Sequence, residues 1–184
     1  MKMTITTLDD REIARTGGDE GVRTRHDQEG KYLTFRLAKE EYGIEILKVR
    51  EIIGAQNITA VPQMPAFAKG VINLRGKVIP VMDLRLKFGL EEAKHTEQTC
   101  IVVVDIGKEI GVIVDTVSEV LDIKGENIDP PPAISESVDL SFISGMGKVG
   151  DAVKILLDIN KVLTCDELTT IANVVENSTT ETVA

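Results

Sequence analysis

Aromatic side chains are scarce in this chain of 184 residues: four Phe, two Tyr and no Trp. So little ring surface leaves no material for a base-stacking platform or an aromatic-lined ligand groove. Basic residues are also in deficit, 21 against 30 acidic ones, and the formal net charge of −9 repels phosphate backbones and anionic headgroups. Nucleic acid is therefore not an expected partner. The two cysteines, Cys100 and Cys165, stand too far apart for a metal-type spacing and suit a reducing compartment as packed thiols. No apolar run approaches the ~20 residues of a membrane span, so direct membrane insertion is not expected. The start, Met1-Lys2-Met3-Thr4 running into Asp9-Asp10, lacks the apolar stretch of a signal peptide, and the expectation is a cytoplasmic protein.

What the chain has is a succession of short Val, Ile and Leu segments beginning near Lys31. Residues 1–30 are polar, mixed in charge and glycine-bearing, without a strand or helix period, and read as a disordered arm. From Tyr32 the pattern alternates, with Leu33, Phe35 and Leu37 on one face and Thr34 and Arg36 on the other, as in a strand beside solvent. Ile101 to Val104 and Gly111 to Val114 are continuous apolar runs joined by Asp105-Ile106-Gly107-Lys108-Glu109, a hairpin buried on both faces. Helical signals are short. Pro65 to Lys69 forms one turn, and Asp83 is placed to cap Leu84 to Phe88 before Gly89. Thr164-Cys165-Asp166-Glu167 has the form of a capping box, and Leu168, Ile171, Ala172 and Val175 follow at helical spacing, so a helix is expected over 166–176 and a frayed tail over 177–184.

Compared with itself, the chain repeats. Gly43 to Ile53 matches Gly111 to Leu121 at a spacing of 68 residues, pairing Ile44 with Val112, Ile46 with Val114, Val49 with Val117 and Ile52 with Val120. Gly70, Leu74, Val78 and Val81-Met82-Asp83-Leu84 match Gly145, Val149, Val153 and Leu156-Leu157-Asp158-Ile159 at a spacing of 75. A unit near seventy residues, made of short strands and a terminal helical turn, implies two similar small β-barrels. Such barrels leave edges and hairpins exposed, which are docking features.

Chemistry-bearing constellations are few. His26 lies in the arm and His95 in the polar link Glu91 to Gln98, so neither is held for catalysis. Gly145-Met146-Gly147-Lys148-Val149-Gly150 matches G-x-G-x-x-G, but a strand pattern follows where a dinucleotide site needs a helix N-terminus. A nucleotide-binding protein built on this loop is the alternative of a different class. Asp83 and Asp158, equivalent in the repeat, read as helix caps. Arg75 falls at the tip of a hairpin between Val71-Ile72 and Val78-Ile79. Lys48-Val49-Arg50-Glu51-Ile52 is an amphipathic strand whose Val49 is either core or an exposed contact.

Three stretches carry a family signature: Glu41-Tyr42-Gly43-Ile44-Glu45-Ile46-Leu47-Lys48-Val49-Arg50-Glu51-Ile52, Pro65-Ala66-Phe67-Ala68-Lys69-Gly70-Val71-Ile72-Asn73-Leu74-Arg75-Gly76, and Pro80-Val81-Met82-Asp83-Leu84-Arg85. With Gly111 to Val117 and Ile155 to Ile159 they resemble the CheW family of bacterial chemotaxis coupling proteins over about residues 31–165. The resemblance implies a mainly β fold of two SH3-like five-stranded barrels packed together, about 31–90 and about 98–163. Exchange of a strand or segment between the barrels is left open. It implies an adaptor without an active site or cofactor, linking the cytoplasmic tips of methyl-accepting chemoreceptors to the regulatory domain of a CheA-type histidine kinase. It also implies assembly with other copies of itself in arrays, and recruitment to membrane-associated receptor clusters. By the same resemblance Val49, Glu51 and Arg75 match positions that contact the receptor tip. Gly70, Gly145 and Gly147 are assigned to kinase contact or to hairpin geometry. A kinase or a receiver-domain fusion carrying the same domain would need a further compact unit that 184 residues do not hold.

Overall fold

Antiparallel pairing sets up five consecutive-strand hairpins or ladders, and two parallel seams knit them into two mixed sheets. The computed structural model describes residues 30–132 and 140–182; the expected arm, Gly30 apart, and His26 lie outside the described residues. The strands are β1 (Gly30–Leu37), β2 (Glu40–Glu45), β3 (Val49–Gly54), β4 (Ala68–Leu74), β5 (Lys77–Asp83), β6 (Cys100–Asp105), β7 (Glu109–Val114), β8 (Thr116–Ile123), β9 (Ile128–Asp129), β10 (Ile143–Val149) and β11 (Ala152–Leu157). The helices are α1 (Leu84–Lys87), α2 (Ile159–Val162) and α3 (Cys165–Thr182). One sheet has the order β3-β6-β7-β5-β4 and the other β8-β1-β2-β11-β10-β9.

The sheets do not follow the halves of the repeat. β1 and β2, which open the first half, sit between β8 and β11 of the second, while β6 and β7 sit between β3 and β5 of the first. A division into 31–90 and 98–163 therefore cuts through both sheets. Periodicity identifies both hairpins as strands without choosing their neighbours. Val81, Met82 and Asp83 run parallel to Gly111, Val112 and Ile113, and Ile155, Leu156 and Leu157 run parallel to Tyr42, Gly43 and Ile44.

Both sheets curl, for a reason of chain length. Ala55 still donates to the carbonyl of Thr99 beside β6, yet Thr59 already bridges Val71 on the outer side of β4, at the opposite edge. Four residue steps span at most about 14 Å, against about 24 Å for five strand spacings laid flat. In the second sheet Ile123 pairs with Gly30 at one edge and Ile128 with Gly147 near the other, five steps or about 18 Å apart at most. Each curl encloses its own apolar cluster, Ile72, Ile79, Val81, Ile101, Val103 and Ile113 in the first and Tyr32, Ile123, Ile128 and Leu156 in the second. Alternate residues of the same strands, Val102, Val104, Val112 and Val114, meet Leu33, Phe35, Leu37, Ile44 and Leu157 between the sheets. Four of the aromatic rings are pooled at this seam, Phe35, Tyr42, Phe88 and Phe142 stacking in a row with centroids 6.0, 5.7 and 4.9 Å apart.

The repeat extends to individual hydrogen bonds. Asp83 N–H donates to Phe67 O at 2.7 Å and Asp158 N–H to Phe142 O at 2.8 Å. Asp83 Oδ1 accepts from Arg85 N at 2.9 Å and Asp158 Oδ1 from Asn160 N at 3.1 Å, so both are caps. The capping box is present, with Thr164 Oγ1 accepting from Glu167 N at 3.2 Å and Glu167 Oε2 from Thr164 N at 2.8 Å. Glu167 Oε1 also meets Lys87 Nζ at 2.6 Å, tying the start of α3 to α1, and Ile171 is buried in the inter-sheet core. Two expectations change. Thr34 is fully buried, because the second sheet curls over the side read as solvent, where Tyr32 meets Ile123, Ile128 and Leu156; a bulge in the pairing with β8 lets Thr34 Oγ1 donate to Glu119 O at 2.8 Å and accept from Glu119 N at 3.2 Å. The helix runs past 176 to Thr182 where a frayed tail was expected, since no Gly or Pro follows the capping box to stop it.

One polar brace crosses the seam. Asp115, where the chain passes from β7 to β8, accepts from Arg85 Nε at 2.7 Å, Arg85 Nη2 at 2.5 Å and Ala38 N at 2.9 Å. The Arg85 hydrogen bond holds its carboxyl below the usual aspartate range. A depressed folded pKa adds stability that is present above the unfolded value of about 4 and lost as pH falls through the folded one. In urea titrations Asp115→Asn should show its largest deficit near neutral pH, narrowing on acidification; a constant deficit would remove the ion pair as its cause. A second test concerns Gly70, at φ +143, where an added Cβ would lie 2.0 Å from Thr59 O. Gly70→Ala should cost at least about 2 kcal/mol. Gly76→Ala, at φ +83 with nothing within 4 Å, should cost about 1 kcal/mol. Equal losses in urea midpoints would rule out the Thr59 contact as the constraint.

Candidate interaction surface

The site grows from an irregularity in β3. Val49 pairs with Val104 and Glu51 with Val103, leaving Arg50 as the extra residue of a bulge. The bulge separates two side chains that regular alternation would place on one face. Val49 turns half-buried against the inter-sheet core, while Glu51 stands over the first sheet's own cluster beside Val103. Arg50 is released to solvent and reaches Asp105 at the end of β6, its Nε donating to Oδ2 at 3.1 Å. This contact holds the Asp105 carboxyl below its ordinary range.

Arg75 is carried to the same place by a two-residue turn. Leu74 pairs with Lys77, and Arg75 and Gly76 both have positive φ, 54° and 83°, as the type I′ turn of a tight hairpin requires. Asn73 Oδ1 accepts from Gly76 N at 2.8 Å and braces the tip. Arg75 Nη2 donates to Glu51 Oε1 at 2.5 Å, so two of the three residues singled out for receptor contact form one ion pair across the mouth of the first sheet. Lys77 Nζ lies 3.3 Å from Glu109 Oε1 alongside it. Arg50, Glu51, Arg75, Lys77 and Glu109 rim a shallow groove of about 280 Å³ floored by Leu74 and Val103.

Gly70, Gly145 and Gly147 are not part of this surface. All three are buried within strands, Gly70 in β4 and the other two in β10, and the β10–β11 turn is made further on, between Val149 and Ala152. Gly70 accommodates Thr59, and a Cβ on Gly147 would stand 3.1 Å from Ile123 Cδ1. Close approach gives Gly70 and Gly147 a packing role within their strands. The fingerprint Gly145 to Gly150 is strand followed by turn and strand, without the helix N-terminus that a pyrophosphate needs.

Sequence reasoning missed Leu47, which is 88% exposed on the single helical turn Ile46–Lys48 that precedes β3. The repeat held the signal: Leu47 aligns with Asp115, an apolar residue opposite a polar one at the same crossing point. It also missed Arg50 with Asp105, partners 55 positions apart, and Lys77 with Glu109.

The CheW-like domain family model matches residues 31–167. The chain is 39% identical over 148 residues to the chemotaxis protein CheW of Klebsiella aerogenes, covering 80% of this chain and 89% of that protein. It is 32% identical over 154 residues to the chemotaxis protein CheW of Treponema pallidum, covering 80% and 90%. Among solved structures, the scaffolding protein TtCheW from Thermoanaerobacter tengcongensis superposes with a TM-score of 0.69 at 35% identity, covering 76% of this chain and 96% of that one.

Exposed ion pairs contribute little to folding, typically about 0.2 to 1 kcal/mol. Arg75→Gln should therefore shift the urea midpoint by the equivalent of less than about 1 kcal/mol, and Arg50→Gln should leave it nearly unchanged. A larger loss would make these pairs part of the fold rather than part of a surface.

Proposed function

The chain belongs to the CheW-like domain family of chemotaxis scaffold proteins, and from that membership we propose that it bridges chemoreceptor cytoplasmic tips to the CheA-type histidine kinase, coupling receptor state to autophosphorylation. The receptor tip meets the first sheet at Val49, Glu51 and Arg75, and the regulatory domain of the kinase meets outer surfaces of the two sheets. The observation that carries the receptor assignment is the Glu51–Arg75 pair. It holds a guanidinium at a fixed height on a rigid two-residue turn, with Arg75 76% and Glu51 26% exposed. A side chain already ordered in the free protein loses less entropy on binding.

Two modest contacts made at once suffice for bridging, because the second becomes intramolecular once the first has formed. The repeat supplies two curled sheets of like construction around a shared core, the geometry that simultaneous engagement demands. Among the described residues no helix is long and apolar enough to cross a membrane. On this reading the protein acts in the cytoplasm, is recruited to membrane-associated clusters through its partners, joins other copies of itself in arrays and catalyses nothing.

The test is kinase autophosphorylation with receptor cytoplasmic fragments on vesicles, comparing no adaptor, the unaltered chain and Arg75→Glu, with folding followed by circular dichroism. The unaltered chain should stimulate the kinase in a receptor-dependent way, and the folded variant should lose most of that stimulation. Full stimulation by Arg75→Glu would remove the receptor contact from this face, and none by the unaltered chain would overturn the coupling role.

A further inference from the structure

Each of the three ion pairs at the mouth of the first sheet has its cation outward and its carboxylate recessed. Arg75 is 76% exposed against 26% for Glu51, Arg50 59% against 31% for Asp105, and Lys77 63% against 31% for Glu109. Arg36 with Glu41 on β1 and β2 shares the pattern singly, at 53% against 20%, whereas Lys69 is 26% exposed against 57% for Glu92, and Arg85 with Asp115 is recessed on both sides at 19% and 27%. The three pairs are contiguous, since Arg50 precedes Glu51 in β3, and Asp105 faces Glu109 across the β6–β7 hairpin. A chain with a net charge of −9 thus presents one locally cationic strip, and Lys48 adds to the positive field at Asp105.

We infer that this strip is a docking site for an acidic, apolar-bearing segment of the receptor tip, with Arg50 and Lys77 as specificity-determining residues beside Arg75. The inference rests on the reading that the receptor meets this face. Charge complementarity favours the occupant: the outermost groups are cations, and the recessed carboxylates act as their internal counterions. No internal pair need break on docking, because a guanidinium has five N–H donors and an ammonium three, enough to serve an inner and an outer carboxylate together. Leu47, three residues before Arg50 and almost wholly exposed, supplies an apolar anchor beside the charges. A phosphate polymer suits the strip poorly, since the recessed acids and the overall negative charge oppose a dense anion.

The test is titration of a labelled chemoreceptor cytoplasmic fragment with the full chain at low and at physiological salt. Arg50→Gln and Lys77→Gln should each weaken binding by about two- to fivefold and flatten its salt dependence. Glu109→Gln, which frees Lys77 from its counterion, should tighten binding by a similar factor. Leu47→Ser should weaken binding without altering the salt dependence. Weaker binding by Glu109→Gln, or unchanged binding in all the charge variants while the unaltered chain binds and couples the kinase, would overturn the strip and leave the coupling role standing. Failure of the unaltered chain to bind the fragment would overturn both. Binding to phosphatidylglycerol vesicles, lost in the Gln variants, in place of the fragment would assign the strip to a lipid surface and also overturn the inference.

Discussion

Two parallel seams, β5 against β7 and β11 against β2, are the interactions on which the rest of the structure depends. Each seam joins a strand from one half of the repeat to a strand from the other, so each half completes its sheet with the other's leading hairpin. The central strands β6 and β7 are covered on both faces, one by their own curled sheet and one by the neighbouring sheet. This is why they read as nearly continuous apolar runs. The exchange also makes the chain one cooperative body: neither half holds a full sheet, and the inter-sheet core draws its side chains from both. Most of the stabilising contacts join residues distant in sequence, which belongs to slowly folding topologies.

The magnitudes divide the molecule into a part that holds and a part that is free to recognise. Fully burying a Leu, Ile, Val or Phe contributes on the order of 1.5 to 3 kcal/mol, and the inter-sheet cluster alone buries Leu33, Phe35, Leu37, Ile44, Val102 and Val104. An exposed ion pair contributes at most about 1 kcal/mol. The pairs around Arg75 are therefore minor for stability, and their side chains are available to a partner without endangering the core beneath. The rigid parts of the site are backbone devices: the bulge at Arg50 and the turn at Arg75-Gly76. Both fix where a charged group stands while leaving its far end in water.

What could be read from the sequence was local. The caps at Asp83 and Asp158, the box at Thr164 and Glu167, the Arg75 tip and the buried hairpin at 101–114 depend on residues within a few positions of one another, and all are present. What could not be read was partnership at a distance. Periodicity marks both leading hairpins as strands but does not choose their neighbours, so the exchange left no trace in it. Thr34 looked solvent-facing because nothing nearby announces that β8 will pair with it, 85 positions on. The bulge that divides Val49 from Glu51 is likewise imposed by β6, so the three residues linked by resemblance could not be resolved into a core-facing valine and an ion pair. The three glycines, assigned to kinase contact or to hairpin geometry, are buried within strands, because a missing side chain serves close backbone approach as well as it serves a turn.

The repeat is most informative where its halves disagree. At the crossing from β7 to β8, Asp115 is bound by Arg85 and by the Ala38 amide, closing that corner. At the equivalent crossing from β2 to β3 the chain has Leu47, and the position matching Arg85 is Asn160. A guanidinium and carboxylate at one corner have become an amide and an exposed leucine at the other. Had both corners kept the brace, both crossings would be tied to the core by internal hydrogen bonds and would offer a partner nothing apolar. Losing the brace at one corner removes an ion pair of modest worth and exposes an apolar side chain next to the cationic strip. The asymmetry costs the fold little because the seams, not the corners, hold the sheets together. It gives one of two near-equivalent sheets a surface that the other lacks, and under the proposed bridging role that difference is what would let two partners be told apart.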